Sequence, residues 1–178
     1  MVTRKDVIAA EFFNRYLNLV KEDDVVKALK KNTKQFRKLL DSIPKKKIDY
    51  AYAEGKWTIK QLLQHVIDAE RVFVYRAMTF SRKDATPLPG FDENQWADNA
   101  QTDHRRWSDL VDEFRAVRKS TELLFESLTE DQLLATGTAG NHPANALAYG
   151  FISAGHVLHH LKIINERYLK HKPSPEKA

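Results

Sequence analysis

The sequence has no cysteine among its 178 residues. Thiolate zinc sites, iron–sulfur clusters, cysteine nucleophiles and dithiol redox chemistry are therefore excluded. Glycine and proline number only six each, which argues against a many-turned all-β chain and favours helices. No run of 18 apolar residues occurs, and the N-terminus lacks the apolar core and cleavage site of a signal peptide. We therefore expect a cytoplasmic protein that makes no contact with a membrane.

The excess of basic over acidic residues is confined to the N-terminal third. Residues 1–56 hold 14 basic and 8 acidic side chains, out of 29 and 24 in the whole chain. The basic residues follow helix-like runs, such as Lys27 to Lys38, without the interleaved aromatic side chains on which bases stack. A solvated helix face explains this pattern better than a nucleic-acid site does, and we expect no nucleic-acid partner.

Apolar residues recur with the helical period in four or five stretches. Beyond an extra N-terminal helix between Val7 and Val20, they predict helices over residues 24–42, 58–80 and 107–128, and a final helix that begins near Pro143 and ends near Lys170. Residues 82–102 are rich in Pro, Gly, Asp and Asn, and we interpret them as a long crossover loop without an element of its own.

The predicted fold is all-α: a four-helix bundle with a long crossover connection and an extra N-terminal helix packed on its outside. The length of the chain is that of one domain. We expect a single domain over residues 1–178, with a helical extension at 1–23 and a flexible tail at 171–178.

Three of the seven histidines, His156, His159 and His160, fall within five residues of the last predicted helix. Residues four apart share a helix face, so His156 and His160 can bind one metal ion, although the pair His156 and His159 is also allowed. His65 lies on the apolar face of another helix and is the best candidate for a third ligand. Three neutral imidazoles leave an open coordination position, as catalytic sites do. The alternative is that these are core histidines hydrogen-bonded to carbonyls or hydroxyls.

Three segments together make the chain recognisable. They are residues 57–70 (WTIKQLLQHVIDAE), residues 87–92 (PLPGFD) and residues 155–160 (GHVLHH). In this order and at these separations they resemble the DinB/YfiT-like superfamily of metal-dependent four-helix-bundle proteins. The resemblance spans about residues 24–170 and implies a bundle with a long crossover.

By this resemblance the metal ligands are His65, His156 and His160, and His159 lies outside the coordination shell. Many relatives have a basic residue after the final ligand, where this chain has Leu161. A substrate-orienting role at that position is therefore not expected to carry over.

Four further residues are candidates for roles beside the metal. Asp68 could hydrogen-bond an imidazole or orient a bound water, or it is a surface carboxylate. Arg76 could reach an anionic substrate at the pocket mouth, or it forms a surface ion pair. Tyr149 could hydrogen-bond a substrate, or it fills the core. For Glu70, an ion pair with a neighbouring helix is favoured over a catalytic role.

Two classes of function follow. The first is a metal-dependent enzyme that hydrolyses a small molecule or, like thiol-dependent relatives of this family, transfers a low-molecular-weight thiol to an electrophile. The second is a non-catalytic metal-binding or stress-linked interaction scaffold. Zinc or nickel is the metal expected in recombinant protein. A small-molecule substrate is expected, and a homodimer is left open.

Overall fold

The computed structural model describes residues 1–169, and it is an all-α bundle with one small β-hairpin. The elements are α1 (Asn14–Leu17), α2 (Val25–Ser42), α3 (Ile59–Ser81), α4 (Glu93–Asn99), α5 (Trp107–Ser127), α6 (Glu130–Leu134), β1 (Thr136–Ala139), β2 (His142–Asn145) and α7 (Ala146–Ile163). The bundle helices are α2, α3, α5 and α7. The predicted fold class is confirmed.

The helix starts follow from capping side chains. Asp24 accepts a hydrogen bond from the Lys27 amide at 2.7 Å and begins α2. At the start of α3, the Gln61 amide donates to the Thr58 hydroxyl and the Thr58 amide donates to the Gln61 side chain, at 3.2 and 2.8 Å. These contacts satisfy amides that have no partner in the first helical turn. Both predicted starts are confirmed.

Helix α7 is the central element of the bundle. It packs against α2, α3 and α1, and every residue from Ala146 to Val157 is buried. Two apolar clusters surround it, one containing Phe73 and Phe151 and the other containing Phe36 and Phe114. The long axis of the core therefore follows α7, and the histidines of α7 lie inside the protein.

The N-terminal helix is present but is shorter than the predicted span from Val7 to Val20. Only a 3₁₀ turn over Glu11–Phe13 and the single turn of α1 are helical. Upstream of them, the Asn145 side chain accepts from the Ile8 amide at 3.2 Å and donates to the Asp6 carbonyl at 2.8 Å. Backbone groups that a helix would use are therefore bonded to a residue far along the chain. The segment packs against α7, close to its histidines.

Two predictions about loops are wrong. The crossover contains α4, which begins where the Asp92 carboxylate accepts from the Asn94 and Gln95 amides. The final helix begins at Ala146, because Pro143 lies in β2 of a hairpin. The two-residue turn of this hairpin, Gly140 and Asn141, has φ of 57° and 66°, the positive values that a type I′ turn requires.

The end of the final helix agrees with the prediction up to Leu169. Regular α-helix extends to Ile163, and a π-helical turn continues over Ile164–Leu169. Lys170, where the helix was expected to end, and the predicted tail at 171–178 lie outside the described residues. Within residues 1–169, no helix is long and apolar enough to cross a membrane.

Asn145 connects the N-terminal segment to α7, and its loss should destabilise the fold. Its side chain also accepts from the Ala148 amide at 2.9 Å, which caps α7. We predict that Asn145→Ala lowers the free energy of unfolding by about 2 to 4 kcal/mol, because a cap and two further hydrogen bonds are lost. Urea denaturation measures this. The control Asn99→Ala, at an exposed position, should change it by less than about 0.5 kcal/mol. Equal effects of the two variants would contradict the assigned role.

Candidate metal centre

Helices α3 and α7 bring three imidazoles together inside the bundle. The Nε2 atom of His156 lies 3.0 Å from Nε2 of His65 and 3.0 Å from Nε2 of His160. One ligand atom from each ring lies within 4.8 Å of the others. The structure thus places together the three residues that the sequence selected. His159 is not part of this cluster, and its ring lies 5.3 Å from that of Tyr16.

Hydrogen bonding among the three rings satisfies them poorly. A neutral ring nitrogen either carries one proton or offers one lone pair, so Nε2 of His156 cannot donate to one neighbour and accept from the other. A cation shared by three lone pairs satisfies all three nitrogens at once. The donor set therefore fits a divalent metal ion.

Burial keeps these rings in the form that binds metal. His156 and His160 are only 3% and 6% exposed, whereas His65 retains partial exposure. Desolvation lowers the pKa of His65 to about 4 and holds the pKa values of His156 and His160 well below 6.5. The rings are therefore neutral at pH 7, and neutral imidazole is the ligand form.

Aromatic side chains hold the imidazoles in place. The Trp57 ring lies 4.8 Å from that of His65, and the Tyr16 and Phe73 rings lie 5.1 and 5.6 Å from that of His156. Gly155 permits this arrangement, because a Cβ there would lie 2.2 Å from the Tyr16 carbonyl oxygen. The glycine lets the N-terminal segment approach α7 directly beside His156.

A pocket of about 230 Å³ opens onto His65 and His156. Its walls come from the N-terminal segment, α3, the crossover and the hairpin. The lining residues that sequence reasoning did not assign to it include Phe12, Phe13, Arg15, Tyr16, Phe73, Gly90, Glu93, Ala139, Gly140 and His142. Phe73 shares the helix face of His65, which was a usable signal. The others come from segments whose position depends on distant contacts.

The remaining candidates have separate environments. Asp68 is half-buried, accepts from the buried Gln64 side chain at 2.9 Å and lies 3.6 Å from Arg71, so its hydrogen bond is to Gln64 and not to an imidazole. Burial raises its pKa. Tyr149 is 1% exposed and packs among aromatic rings of the core, and burial raises its pKa. Arg76 does not form a surface ion pair, the alternative role considered for it, because it is buried and lines the pocket.

The predicted pairing of Glu70 with a neighbouring helix is confirmed. Its carboxylate lies 2.5 Å from a terminal nitrogen of Arg118 on α5 and accepts from the Thr121 hydroxyl at 2.7 Å. Arg118 also donates to the Ser153 carbonyl of α7 at 3.3 Å. Burial raises the pKa of Glu70, and the guanidinium opposes that shift. These contacts connect α3, α5 and α7 near the level of the histidines.

The lowered pKa of His65 predicts acid sensitivity of the metal-free protein. In the unfolded chain the pKa of histidine is about 6.5, so between pH 6.5 and about 4 only the unfolded state takes up this proton. Stability is therefore complete above pH 6.5 and is lost as the pH falls. For EDTA-treated protein, we predict that His65→Gln reduces the loss of unfolding free energy between pH 7 and pH 5 by about 2 kcal/mol.

Urea denaturation at the two pH values checks this prediction. His104→Gln is the matched control because His104 is exposed on the surface. It should leave the difference in unfolding free energy between pH 7 and pH 5 unchanged. A reduction of the same size in both variants would show that burial at the centre is not the cause.

Comparisons with known proteins agree with this geometry. The sequence model of the DinB superfamily matches residues 28–164. A protein of Oceanobacillus iheyensis, named as a candidate metal-dependent hydrolase, is 27% identical over 73 residues. The match spans 40% of this chain and 42% of that protein, so it covers about two fifths of the length of the curated relative.

Two solved structures share the fold. YfiT from Bacillus subtilis, described as a candidate metal-dependent hydrolase with an unusual four-helix bundle topology, superposes with a TM-score of 0.72 at 16% identity. That match covers 81% of this chain and 83% of YfiT. A mycothiol-dependent maleylpyruvate isomerase superposes with a TM-score of 0.67 at 15% identity, covering 90% of this chain and 62% of the isomerase.

Proposed function

This chain belongs to the DinB superfamily, and on that premise we propose that it is a divalent-metal-dependent enzyme acting on a small molecule. The observation that carries the proposal is the meeting of three imidazole Nε2 atoms beside a pocket. A buried site that only stabilised the fold would need no opening to a cavity. Here two of the three imidazoles line one.

His65, His156 and His160 are the proposed ligands. A divalent ion held by them would supply Lewis acidity, which could polarise a carbonyl group or favour ionisation of water or a thiol. The two helices hold one ligand atom of each imidazole within 4.8 Å of the others, so binding of an ion would need little reorganisation. Zinc or nickel is the occupant we expect in recombinant protein, because affinity and availability both favour these ions on imidazole ligands.

The chain's own residues provide a binding environment next to the centre. Burial raises the pKa of the Tyr16 phenol, so it stays a neutral hydrogen-bond donor in the pocket. Aromatic side chains form part of the lining, and the Arg76 guanidinium lies on the same lining. This mixture of apolar walls and a few polar groups is typical of small-molecule sites.

The nucleophile in this proposal is water or a low-molecular-weight thiol. The relative from Oceanobacillus iheyensis supports hydrolysis, since it is named as a candidate metal-dependent hydrolase. The structural neighbour that depends on mycothiol supports thiol chemistry. The competing proposal, a metal-binding scaffold, requires no pocket at the imidazoles. A cytoplasmic location remains a prediction, and a homodimer remains open.

We predict that the purified protein binds about one divalent ion per chain at the three histidines. His65→Ala and His160→Ala should each raise the Kd for zinc by at least about a hundredfold, because each removes one of three ligands. Isothermal titration calorimetry with zinc measures this, and circular dichroism should show unchanged helix content.

His159→Ala is the matched control, since His159 neighbours His160 but points toward Tyr16. It should bind zinc as the wild type does. If His159→Ala lost the ion and His160→Ala kept it, the ligand assignment would be wrong.

Product analysis separates the two nucleophiles and tests whether the protein is an enzyme. Zinc-loaded protein is incubated in ¹⁸O water with 4-nitrophenyl acetate, and separately with monochlorobimane and a panel of small thiols. We predict turnover of one probe that His156→Ala reduces by at least about a hundredfold. Mass spectrometry should find ¹⁸O in the acid product of hydrolysis or the thiol mass in the bimane adduct. Equal rates for wild type and His156→Ala with both probes would favour the scaffold.

A further inference from the structure

Arg76 is a buried cation whose charge has no counter-ion among residues 1–169. It is only 6% exposed, and no carboxylate oxygen of the described residues lies within 4.0 Å of its nitrogens. Arg118, which is fully buried, is instead paired with Glu70. Burying a charge without a partner is costly. The exception at Arg76 therefore needs an explanation.

The surroundings of Arg76 aim it into the pocket. One terminal nitrogen donates to the Pro89 carbonyl at 2.7 Å, which fixes the guanidinium and leaves its other N–H groups for further partners. The Phe91 and Tyr149 rings each lie 5.8 Å from its central carbon. Arg76 lines the same pocket as His65 and His156. A guanidinium held in this way is prepared for a planar anion.

Helix geometry places Arg76 and the imidazoles at the two ends of one pocket. His65, Ala69, Phe73 and Arg76 line it from successive turns of α3. At 1.5 Å per residue, the Cα atoms of His65 and Arg76 are about 16 Å apart along the helix axis. Side chains on a helix tilt toward its N-terminus, so the guanidinium leans back toward His65. A ligand bound at Arg76 would extend toward the metal centre.

The charges of the lining favour an anion. Arg15 adds a second guanidinium, and Glu93 is the one carboxylate among the described residues of the lining. His65 and His156, the two proposed metal ligands that line the pocket, are neutral at pH 7, as argued above. Two cations against one carboxylate leave positive charge facing the cavity, and a divalent ion would add to it.

The remaining walls define the rest of the ligand. Phe13, Phe73 and Phe91 contribute aromatic surface, and the volume of about 230 Å³ is small for a ligand pocket. We propose that Arg76 binds the carboxylate of the substrate, and that the substrate is a small carboxylic acid with a flat apolar part. This inference rests on the proposed function, because it places that acid beside the metal centre.

Benzoate is the probe, and benzyl alcohol is its uncharged counterpart. Calorimetry on the full-length protein, both zinc-loaded and EDTA-treated, should show that benzoate binds more tightly than benzyl alcohol. Arg76→Met should raise the Kd for benzoate by about ten- to a hundredfold in both preparations, because hydrogen bonds to a charged group are lost. Arg76→Lys, which keeps the charge but loses the planar fork, should give a smaller increase.

The matched control is Arg82→Met, which removes one exposed positive charge just after α3. It should leave benzoate affinity unchanged. Equal affinity of benzoate in Arg76→Met and wild type, an equal loss in Arg82→Met, or tighter binding of phenylphosphonate than of benzoate would each overturn the carboxylate assignment. If Arg76→Met failed to fold, equal affinity of Arg76→Lys and wild type for benzoate would overturn it.

Zinc titration of the same variants distinguishes a failure of the carboxylate site from a failure of the proposed metal-dependent function. Arg76→Met should bind zinc as the wild type does, because its guanidinium is not a ligand. If zinc binds at the triad but benzoate binding is independent of Arg76, the carboxylate site alone is wrong. If zinc does not bind at the triad, the metal-dependent function fails whatever benzoate does.

Discussion

The exclusion of water from α7 is the constraint on which the rest of the structure depends. Every residue from Ala146 to Val157 is buried, so each polar group there must find a partner inside the protein. The Ser153 hydroxyl donates to a carbonyl one turn earlier, and Asn32 donates to the Ala154 carbonyl. His156, by contrast, has only other imidazoles at its Nε2 atom. The same burial that makes α7 the centre of the bundle makes its histidines chemically unusual.

A polar layer in the middle of the bundle follows from this constraint. The ion pair of Glu70 and Arg118 spans α3 and α5, and Arg118 also contacts α7. Replacing a buried ion pair by apolar residues is often neutral or stabilising, so its value here lies in geometry more than in stability. It holds α3 against α7 five residues after His65 and three residues before His156. The apolar clusters stabilise the bundle, whereas this layer fixes how its helices align.

Local rules predicted the helices and an inward-facing His65, whereas contacts between distant residues decided what the sequence could not reveal. The hydrogen bonds between Thr58 and Gln61 and the cap at Asp24 act within one turn. Helical spacing allowed His156 to pair with either His159 or His160, and the resemblance to the superfamily selected His160. The N-terminal segment was mispredicted because Asn145, more than 130 residues away, takes its backbone hydrogen bonds. The hairpin carried a signal in Gly140 and Asn141, but its four-residue strands have little apolar alternation. The walls of the pocket that come from the N-terminal segment and from the hairpin were therefore not predictable from the sequence.

The close approach at Gly155 brings together two parts of the chain, one inside and one before the segment that matches the superfamily. The part of the chain that matches the superfamily begins at residue 28, whereas Phe12, Phe13, Arg15 and Tyr16 form one wall of the pocket. The three imidazoles thus lie in the matched part of the chain, and one wall of the adjoining pocket comes from residues that precede it. Substitutions in these leading residues would change that wall without changing the three imidazoles. Gly155 is where these two parts of the chain meet, because a Cβ at that position would lie 2.2 Å from the Tyr16 carbonyl oxygen and would push them apart.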